Sequence, residues 1–470
     1  MLGYFLIRSW SRGTFGFLEL ILLAMLSGVC VLPLARWLQR DMPHLPLGEG
    51  FAFMHLVYYV IPCLGVKEGL TDYSTGLRLK VLLTLLVYMG TFVAVYWRVS
   101  ERVARSPNTA RILRREVDMR LVWVLFAAWV VLLLLGLYGM IPFITYATRN
   151  IFNSLMGALG SISVVCLFYR CGRGAYGPFP LMLSVAGLAV GAAALAINGT
   201  LIIGACVIGA AVLAYSLGRK KIPIIACVII VSVLGFLQAG KADYREALGS
   251  DKSGYVDAPT TMGEAYRLWF HVSWRAVAEP KSQGEAPSLL ARTSLIHILL
   301  LAEQTVPAHA PYLYGKTYAM LPELLIPRIF WPDKMRGTYP TEYLGIYLGI
   351  QTEGGSDFTG IAVGSPTEGW VNFGWIGMAL AGAFFGWFYG LPAGLTRRLS
   401  PQNIGWLMCC VFLVHCVDME HSLPETLCSV GQSMFMSFLM LLVISGKPRA
   451  RRKAAPAGLA ATPGIAPADG

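Results

Sequence analysis

At 470 residues, 56% hydrophobic and 14% charged, with a mean hydropathy of +0.60, this chain holds more apolar surface than a soluble fold of its size can bury, which excludes a soluble globular enzyme. A net charge of +12 would admit a nucleic-acid partner. The lysines and arginines instead cluster in short gaps between apolar blocks, which is the positive-inside pattern of a membrane protein contacting lipids, with no nucleic acid.

The apolar blocks are about 17 to 22 residues long, enough to cross a hydrocarbon core of ~30 Å. The expected fold is all-α: a polytopic helical membrane protein with about 11 (10 to 12) transmembrane helices and one large periplasmic loop. In chain order the blocks fall at 15–35, 51–66, 80–97, 121–141, 153–169, 178–197, 200–217, 222–238, 370–391, 404–419 and 425–445. The first lacks a small-x-small cleavage site after it, so no cleavable signal peptide is expected. The second is short and contains His55 and Pro62, so it reads either as a full crossing or as a re-entrant or interfacial piece. The choice affects topology. Arg8 and Arg12 call for a cytoplasmic N-terminus, which needs an even number of crossings before the basic stretch Arg98 to Arg120, whereas three blocks precede it. From Arg98 onward, the basic gaps at Arg170, Arg219, Arg397 and Lys447 all fall on one side.

This divides the chain into an N-terminal bundle (1–238), a large periplasmic loop with short helices (239–369), C-terminal transmembrane helices (370–446) and a basic tail (447–470) rich in Ala, Pro and Gly, expected to be disordered. The loop holds fourteen of the 26 Asp and Glu residues and no cysteine. A connection of that length should carry helices and function; "SLLARTSLIHILLLAEQ", Ser288 to Gln304, reads as a helix lying in the interface. All ten cysteines lie in or beside apolar blocks and read as packing residues.

Within the loop, "PRIFWPDKMRGTYPTEYLG", Pro327 to Gly345, sets cations among prolines and aromatics. Pro327 and Pro332 stiffen an extended segment, and Ile329, Phe330 and Trp331 suit the headgroup boundary. Arg328, Lys334 and Arg336 are therefore expected at the membrane surface, either as ordinary anchors or as phosphate ligands. Further cations stand at other mouths of the same compartment: Lys241 and Arg245 beside Tyr244, and Arg292 at the head of the loop helix. Forked guanidinium donors match diphosphate oxygens and neutralise charge building on a leaving group. "SPTEGWVNFGWIG" sets Glu368 just before the next block, where it reads either as a desolvated general base or as a cap on a helix starting near Trp370.

The segments "GKADYR", "ARTSLIHILLLAEQTVPAHAPYLYGKTYAMLPELLIPRIFWPDK" and "SPTEGWVNFGWIG" resemble the Wzy-type O-antigen and exopolysaccharide repeat-unit polymerases. The likeness runs from Gly240 to Gly377, and Met335 departs from it where the family usually has proline. It implies a GT-C-like membrane glycosyltransferase of the bacterial cytoplasmic (inner) membrane that is inverting and metal-independent and has no cofactor. Its substrate would be an undecaprenyl-diphosphate-linked oligosaccharide, and its implied partners are a flippase and a chain-length regulator. On that basis Lys241, Tyr244, Arg245, Arg292, Arg328, Lys334 and Arg336 bind diphosphate or glycan, and Glu368 acts as base, with His309 as a second candidate. His271 lies in the same loop, and His297 reads as a packing residue. The cluster "HCVDMEHSLPE", His415 to Glu425, offers carboxylates to sugar hydroxyls, and Tyr312, Tyr314, Tyr318, Tyr339, Tyr343 and Tyr347 suit either sugar stacking or the interface. The alternatives are an O-antigen ligase-like transferase and a lipid-linked glycan transporter or export component. Few charges inside the blocks and no evident repeat weigh against transport.

Overall fold

The computed structural model describes residues 15–65, 70, 72–107, 110–141, 146–197, 201–248, 261–279, 294–326, 331, 333–352 and 361–445. Among these the regular elements are all helical, and extended backbone pairs only in isolated bridges, Glu116 with Asn403 and Val117 with Ser445. We number the helices α1 (Phe17–Gln39), α2 (Leu47–His55, a π-turn Leu56–Val60, then Ile61–Gly65), α3 (Thr75–Arg105), α4 (Met119–Leu137), α5 (Tyr146–Gly172), α6 (Pro178–Ala196), α7 (Leu201–Arg219), α8 (Ile224–Ala239), α9 (Lys241–Ala247), α10 (Met262–Ala278), α11 (Ile296–Thr305), α12 (Leu321–Leu325), α13 (Tyr339–Tyr347), α14 (Ser365–Thr396), α15 (Ile404–Cys409), α16 (Phe412–His415) and α17 (Leu423–Ile444).

Among the described residues, eight helices are long and apolar enough to cross a membrane: α1, α3, α4, Phe152–Gly172 of α5, α6, α7, α14 and α17. The chain is thus an all-helical polytopic membrane protein. Of the eleven hydropathy blocks, eight appear as these helices, and 222–238 becomes part of the pair α8 and α9, bent by 50°. The remaining two fold as the shorter apolar stretches Leu47–Cys63 and Ile404–His415. Their helices are interrupted, the first by its π-turn and the second between Cys409 and Phe412.

Contacts along the helices fix the course of the chain. The Arg78 Nε donates to Glu19 Oε1 at 2.7 Å, and the Arg36 guanidinium stands 4.4 Å from the Trp97 ring centre, so α1 and α3 run in the same direction. Between them α2 runs the opposite way, with Glu49 on Tyr96, Phe51 on Phe92 and His55 on Tyr88. The chain therefore runs toward the basic-loop end, back, and toward it again before the basic stretch, so α1 begins at the end away from the basic loops. Arg8 and Arg12, which argued the reverse, lie outside the described residues. The basic loops gather at one end: Arg398 donates to the Val103 carbonyl, Asn403 to that of Arg114, and Lys220 to those of Asp41 and Met42.

The centre of the bundle is a seam between α3 and the later part of α14. In "GAFFGWFYGLPAG", glycines recur every fourth residue, on one helix face. Gly382, Gly386, Gly390 and Gly394 rest on the carbonyl oxygens of Tyr88, Phe92, Tyr96 and Ser100 in turn. A Cβ built on Gly386 or Gly394 would lie 2.5 Å from its oxygen, and one on Gly390 would lie at 3.1 Å. Small residues let membrane helices approach where burial of apolar surface offers no drive. A second such pair locks α5 to α7, with Gly172 on the Tyr215 carbonyl and Gly218 on that of Tyr169.

The loop does not stand apart from the bundle. Ile296, Leu299, Leu300 and Ala302 of α11 are buried in the main core, so this helix packs inside rather than lying in the interface. The part of the expected helix before Ser294 lies outside the described residues. Helix α10 starts on a capping box, in which Thr261 Oγ1 accepts from the Glu264 N–H and Glu264 Oε2 accepts from the Thr261 N–H. It stacks Trp269 on Tyr244 at 4.5 Å.

The seam predicts opposite signs for one substitution. Gly386→Ala forces a methyl group against the Phe92 carbonyl and should destabilise by about 1–3 kcal/mol. Gly90→Ala on α3 meets open space and should be neutral or stabilising by up to about 1 kcal/mol. Thermal unfolding of both variants in detergent, read beside wild type, checks the pair.

Candidate functional site

Glu368 belongs to a half-helix, Ser365 to Asn372, at the head of α14. Gly364 enters it at φ +80°, with Tyr59 Oη 2.5 Å from where a Cβ would sit, and Pro366 occupies the first turn. At Phe373 and Gly374 the helix breaks; Gly374 has φ +58° and ψ −134°, a region open essentially to glycine. The chain then doubles back, so that Gly377 lies against the Gly369 carbonyl, two helical turns away in sequence. Glu368 therefore lies inside the fold, three residues into a half-helix, and does not cap a helix starting near Trp370.

Its carboxylate joins three elements. Thr317 Oγ1 donates to Oε1 at 2.7 Å, and the Leu423 N–H at the start of α17 donates to Oε2 at 2.6 Å. Glu368 is fully buried, and an anion at a helix N-terminus is favoured by the exposed N–H groups there. The orphan carbonyls at the end of the half-helix are met by a strap of loop. The Leu313 and Tyr314 N–H groups donate to the Val371 and Asn372 carbonyls, and that of Gly315 to Asn372 Oδ1 at 2.9 Å. Asn372 Nδ2 in turn donates to Thr317 Oγ1 and to the Glu368 carbonyl, both at 2.9 Å.

Two residues further along α17, Glu425 Oε2 accepts from Thr341 Oγ1 at 2.6 Å, and that hydroxyl accepts from the Ser422 N–H at 3.0 Å. His421 lies between two carboxylates, its Nδ1 2.8 Å from Asp418 Oδ2 and its Nε2 3.4 Å from Glu425 Oε1. Burial opposes charge on this imidazole, but the hydrogen bond and charge of Asp418, with Glu425 and Glu420 behind it, push its pKa up to about 9. At neutral pH His421 is thus an imidazolium, and its side chain remains 42% exposed. Tyr58 closes the cluster by donating to Glu420 Oε1.

A second group lies on the other side of the half-helix. The Lys80 Nζ sits 4.2 Å from the Trp370 ring centre and 3.5 Å from Glu303 Oε2, while Thr84 Oγ1 donates to Glu303 Oε1 at 2.5 Å. Burial raises the Glu303 pKa to about 7 against the opposing pull of Thr84 and Lys80. Lys80, Thr84, Glu303, Thr317 and Asn372 were not singled out in the sequence. The Asn-Phe-Gly step after Glu368 was the one local signal that could have found Asn372.

The other expected residues are dispersed. Lys241, Tyr244 and Arg245 share α9, but Tyr244 is fully buried, its hydroxyl donating to the Ile197 carbonyl at 2.6 Å, and so serves as a packing residue there. Lys334 is buried, and its ammonium donates to the Leu324 and Ile326 carbonyls at 2.7 and 2.6 Å, closing the end of α12. Arg336 is exposed, as is His309, which lies in the turn after α11. Arg292 and Arg328 lie outside the described residues. Tyr339, Tyr343 and Tyr347 form a ladder along α13, with the Lys316 ammonium 4.8 Å from the centre of the Tyr343 ring. The ten cysteines are all free, and most are buried, in keeping with packing. Among the described residues no group of three or more His, Cys, Asp or Glu has the geometry of a metal site. Comparison with models of known protein families, with curated proteins and with solved structures gives no match to this chain.

The His421 cluster predicts a pH signature. A histidine whose folded pKa lies above its ordinary 6.5 adds stability that is full below pH 6.5 and is lost as the pH rises through about 9. The wild-type melting temperature should therefore fall across that window. His421→Gln should flatten the fall, and parallel slopes for the two proteins would show that the imidazolium is not held as described.

Proposed function

We propose that this chain is a membrane glycosyltransferase that joins polyprenyl-diphosphate-linked oligosaccharide units into a longer glycan, at the end of the bundle away from its basic loops. The observation that carries this reading is the convergence on Glu368. The half-helix of "SPTEGWVNFGWIG", the strap around Thr317 and the start of α17 all meet at one buried carboxylate. Two of those three elements belong to the segments that resemble the repeat-unit polymerases.

In the proposed reaction an acceptor sugar hydroxyl attacks the anomeric carbon of the donor glycan. The hydroxyl proton passes to Glu368, a carbon–oxygen bond forms to the acceptor, and the bond to the diphosphate oxygen breaks. Polyprenyl diphosphate leaves with the electron pair, and the expected counter-charges are Arg292 and Arg328. The Thr317 hydroxyl, an alcohol donating to Oε1 at 2.7 Å, occupies the position an acceptor hydroxyl needs. His309, exposed at the end of α11, is the alternative proton acceptor. By the positive-inside rule the site faces away from the cytoplasm.

A lipid-linked glycan transporter is the second reading, and a specific observation favours it. Charged pairs lie inside the bundle, Glu19 with Arg78 and Glu303 with Lys80, and α14 and the stretch 404–415 are broken helices, features of transport sites.

Proteoliposomes supplied with a synthetic undecaprenyl-diphosphate repeat unit separate the two readings. The polymerase reading expects a glycan ladder from wild type, a loss of about 10²–10⁴ in rate per folded molecule for Glu368→Gln, with the folded fraction read from its melting curve, and slowed elongation for Arg328→Ala. A wild-type rate in Glu368→Gln removes the base assignment. Translocation of a labelled lipid-linked glycan with no elongation would favour the transporter.

A further inference from the structure

At the end of the bundle that carries the basic loops, α1, α3 and the end of α14 line a cleft of about 80 Å³, bordered by Arg36, Trp37, Arg40, Trp97, Glu101 and Arg397 among others. Its floor is a closed polar network. Arg397 Nε donates to His44 Nδ1 at 3.3 Å, which assigns the ring proton to Nε2, and Nε2 lies 3.2 Å from Glu49 Oε1. Tyr96 Oη donates to the other Glu49 oxygen at 2.7 Å, and Trp37 Nε1 donates to the His44 carbonyl at 2.9 Å. The Glu49 carboxylate is thereby occupied within the floor, and Gly48 packs its backbone directly on the Tyr96 ring.

The mouth has the opposite character. Arg36 and Arg40 are exposed at the end of α1, and Arg36 is held over the Trp97 ring at 4.4 Å. A neighbouring cleft on α3 shares Glu101 and adds Arg98, Arg102 and Arg105. Cations therefore outnumber carboxylates at the rim, and Ile21, Met25 and Leu32 of α1 are exposed in line with Arg36, giving an apolar strip that leads away from the cleft. Forked guanidinium donors suit phosphate oxygens, and basic pockets between membrane helices suit anionic headgroups.

We propose that this cleft binds the phosphate headgroup of an anionic phospholipid, with the acyl chains lying along the exposed face of α1. The site lies at the opposite end of α3 from Lys80 and Thr84, and it stands independently of the proposed glycan chemistry.

The test uses the purified full chain in detergent, stripped of lipid and titrated with phosphatidylglycerol, with phosphatidylcholine or inorganic phosphate in parallel arms. Melting temperature and native mass are read together. Phosphatidylglycerol should give a saturable rise in melting temperature and a one-to-one adduct, and phosphatidylcholine at equal concentration should give neither. Arg40→Gln leaves the buried floor intact and should weaken binding about tenfold, and Arg36→Gln should do likewise. Equal binding of the two lipids, or wild-type affinity in both variants, overturns the proposal. Saturation by inorganic phosphate alone, with loss of the lipid adduct, would make this a free-phosphate site and overturn the lipid assignment.

Discussion

The rest of the molecule depends on glycine meeting carbonyl along the seam of α3 and α14. Lipid tails are as apolar as leucine, so helices in a membrane gain little from burying apolar surface against each other and associate through close packing and weak Cα–H···O contacts. Four glycines spaced by four residues remove every side chain that would hold the backbones apart, and four carbonyls spaced by four receive them. The match fixes direction as well as distance, because both helices advance together from residue 88 with 382 to residue 100 with 394. It thereby positions the half-helix at the head of α14, where Ser365 Oγ meets Tyr88 Oη at 2.8 Å.

That half-helix creates a problem which the polar residues solve. Backbone groups freed by a break inside a bundle find no water, and each costs several kcal/mol if left unpaired. Here Asn372 and the strap from Leu313 to Gly315 satisfy the end of the half-helix, and Glu368 satisfies the first N–H of α17. Thr341 does the same for Ser422, and Lys334 for the carbonyls of Leu324 and Ile326 at the end of α12. The side chains with candidate chemistry are thus also those that substitute for solvent. A substitution at Glu368 consequently needs a folding readout beside its activity readout.

Hydropathy made the spans legible, because block length is a local property set by membrane thickness. Other features were written in the sequence in a form that hydropathy ignores. The four-residue glycine repeat of "GAFFGWFYGLPAG" is one, and Gly374 as a helix breaker is another. Reading that glycine as a break would have moved Glu368 from the mouth of a span into a re-entrant half-helix. Asp418 and His421, three residues apart, were visible as a polar cluster, though the resulting charge on the imidazole depends also on Glu425 and on burial. The pair Lys80 and Glu303 had no local signature, since the partners are separated by more than two hundred residues. Tyr244 shows the converse: its place beside Lys241 and Arg245 suggested substrate contact, whereas its ring is taken by Trp269 and its hydroxyl by Ile197.

The seam also limits how this protein can move. Sliding α3 past α14 lifts all four glycines off their carbonyls at once, and the next register that reseats them lies four residues away, about 6 Å along the axis. Short of such a jump the two helices behave as one rigid spine, with Lys80, Thr84 and Tyr88 toward one end and Tyr96, Trp97 and Arg397 toward the other. Motion that uncovers Glu368 must then come from elements attached to the spine. Gly374, free of a Cβ and at positive φ, is the natural hinge for the half-helix. The Thr317 strap is held to it by a small set of hydrogen bonds that can open without disturbing the seam. A rigid spine with a hinged half-helix at one end keeps the buried carboxylate in register with α17 while still allowing it to be uncovered, which either an enzyme or a transporter built on this frame requires.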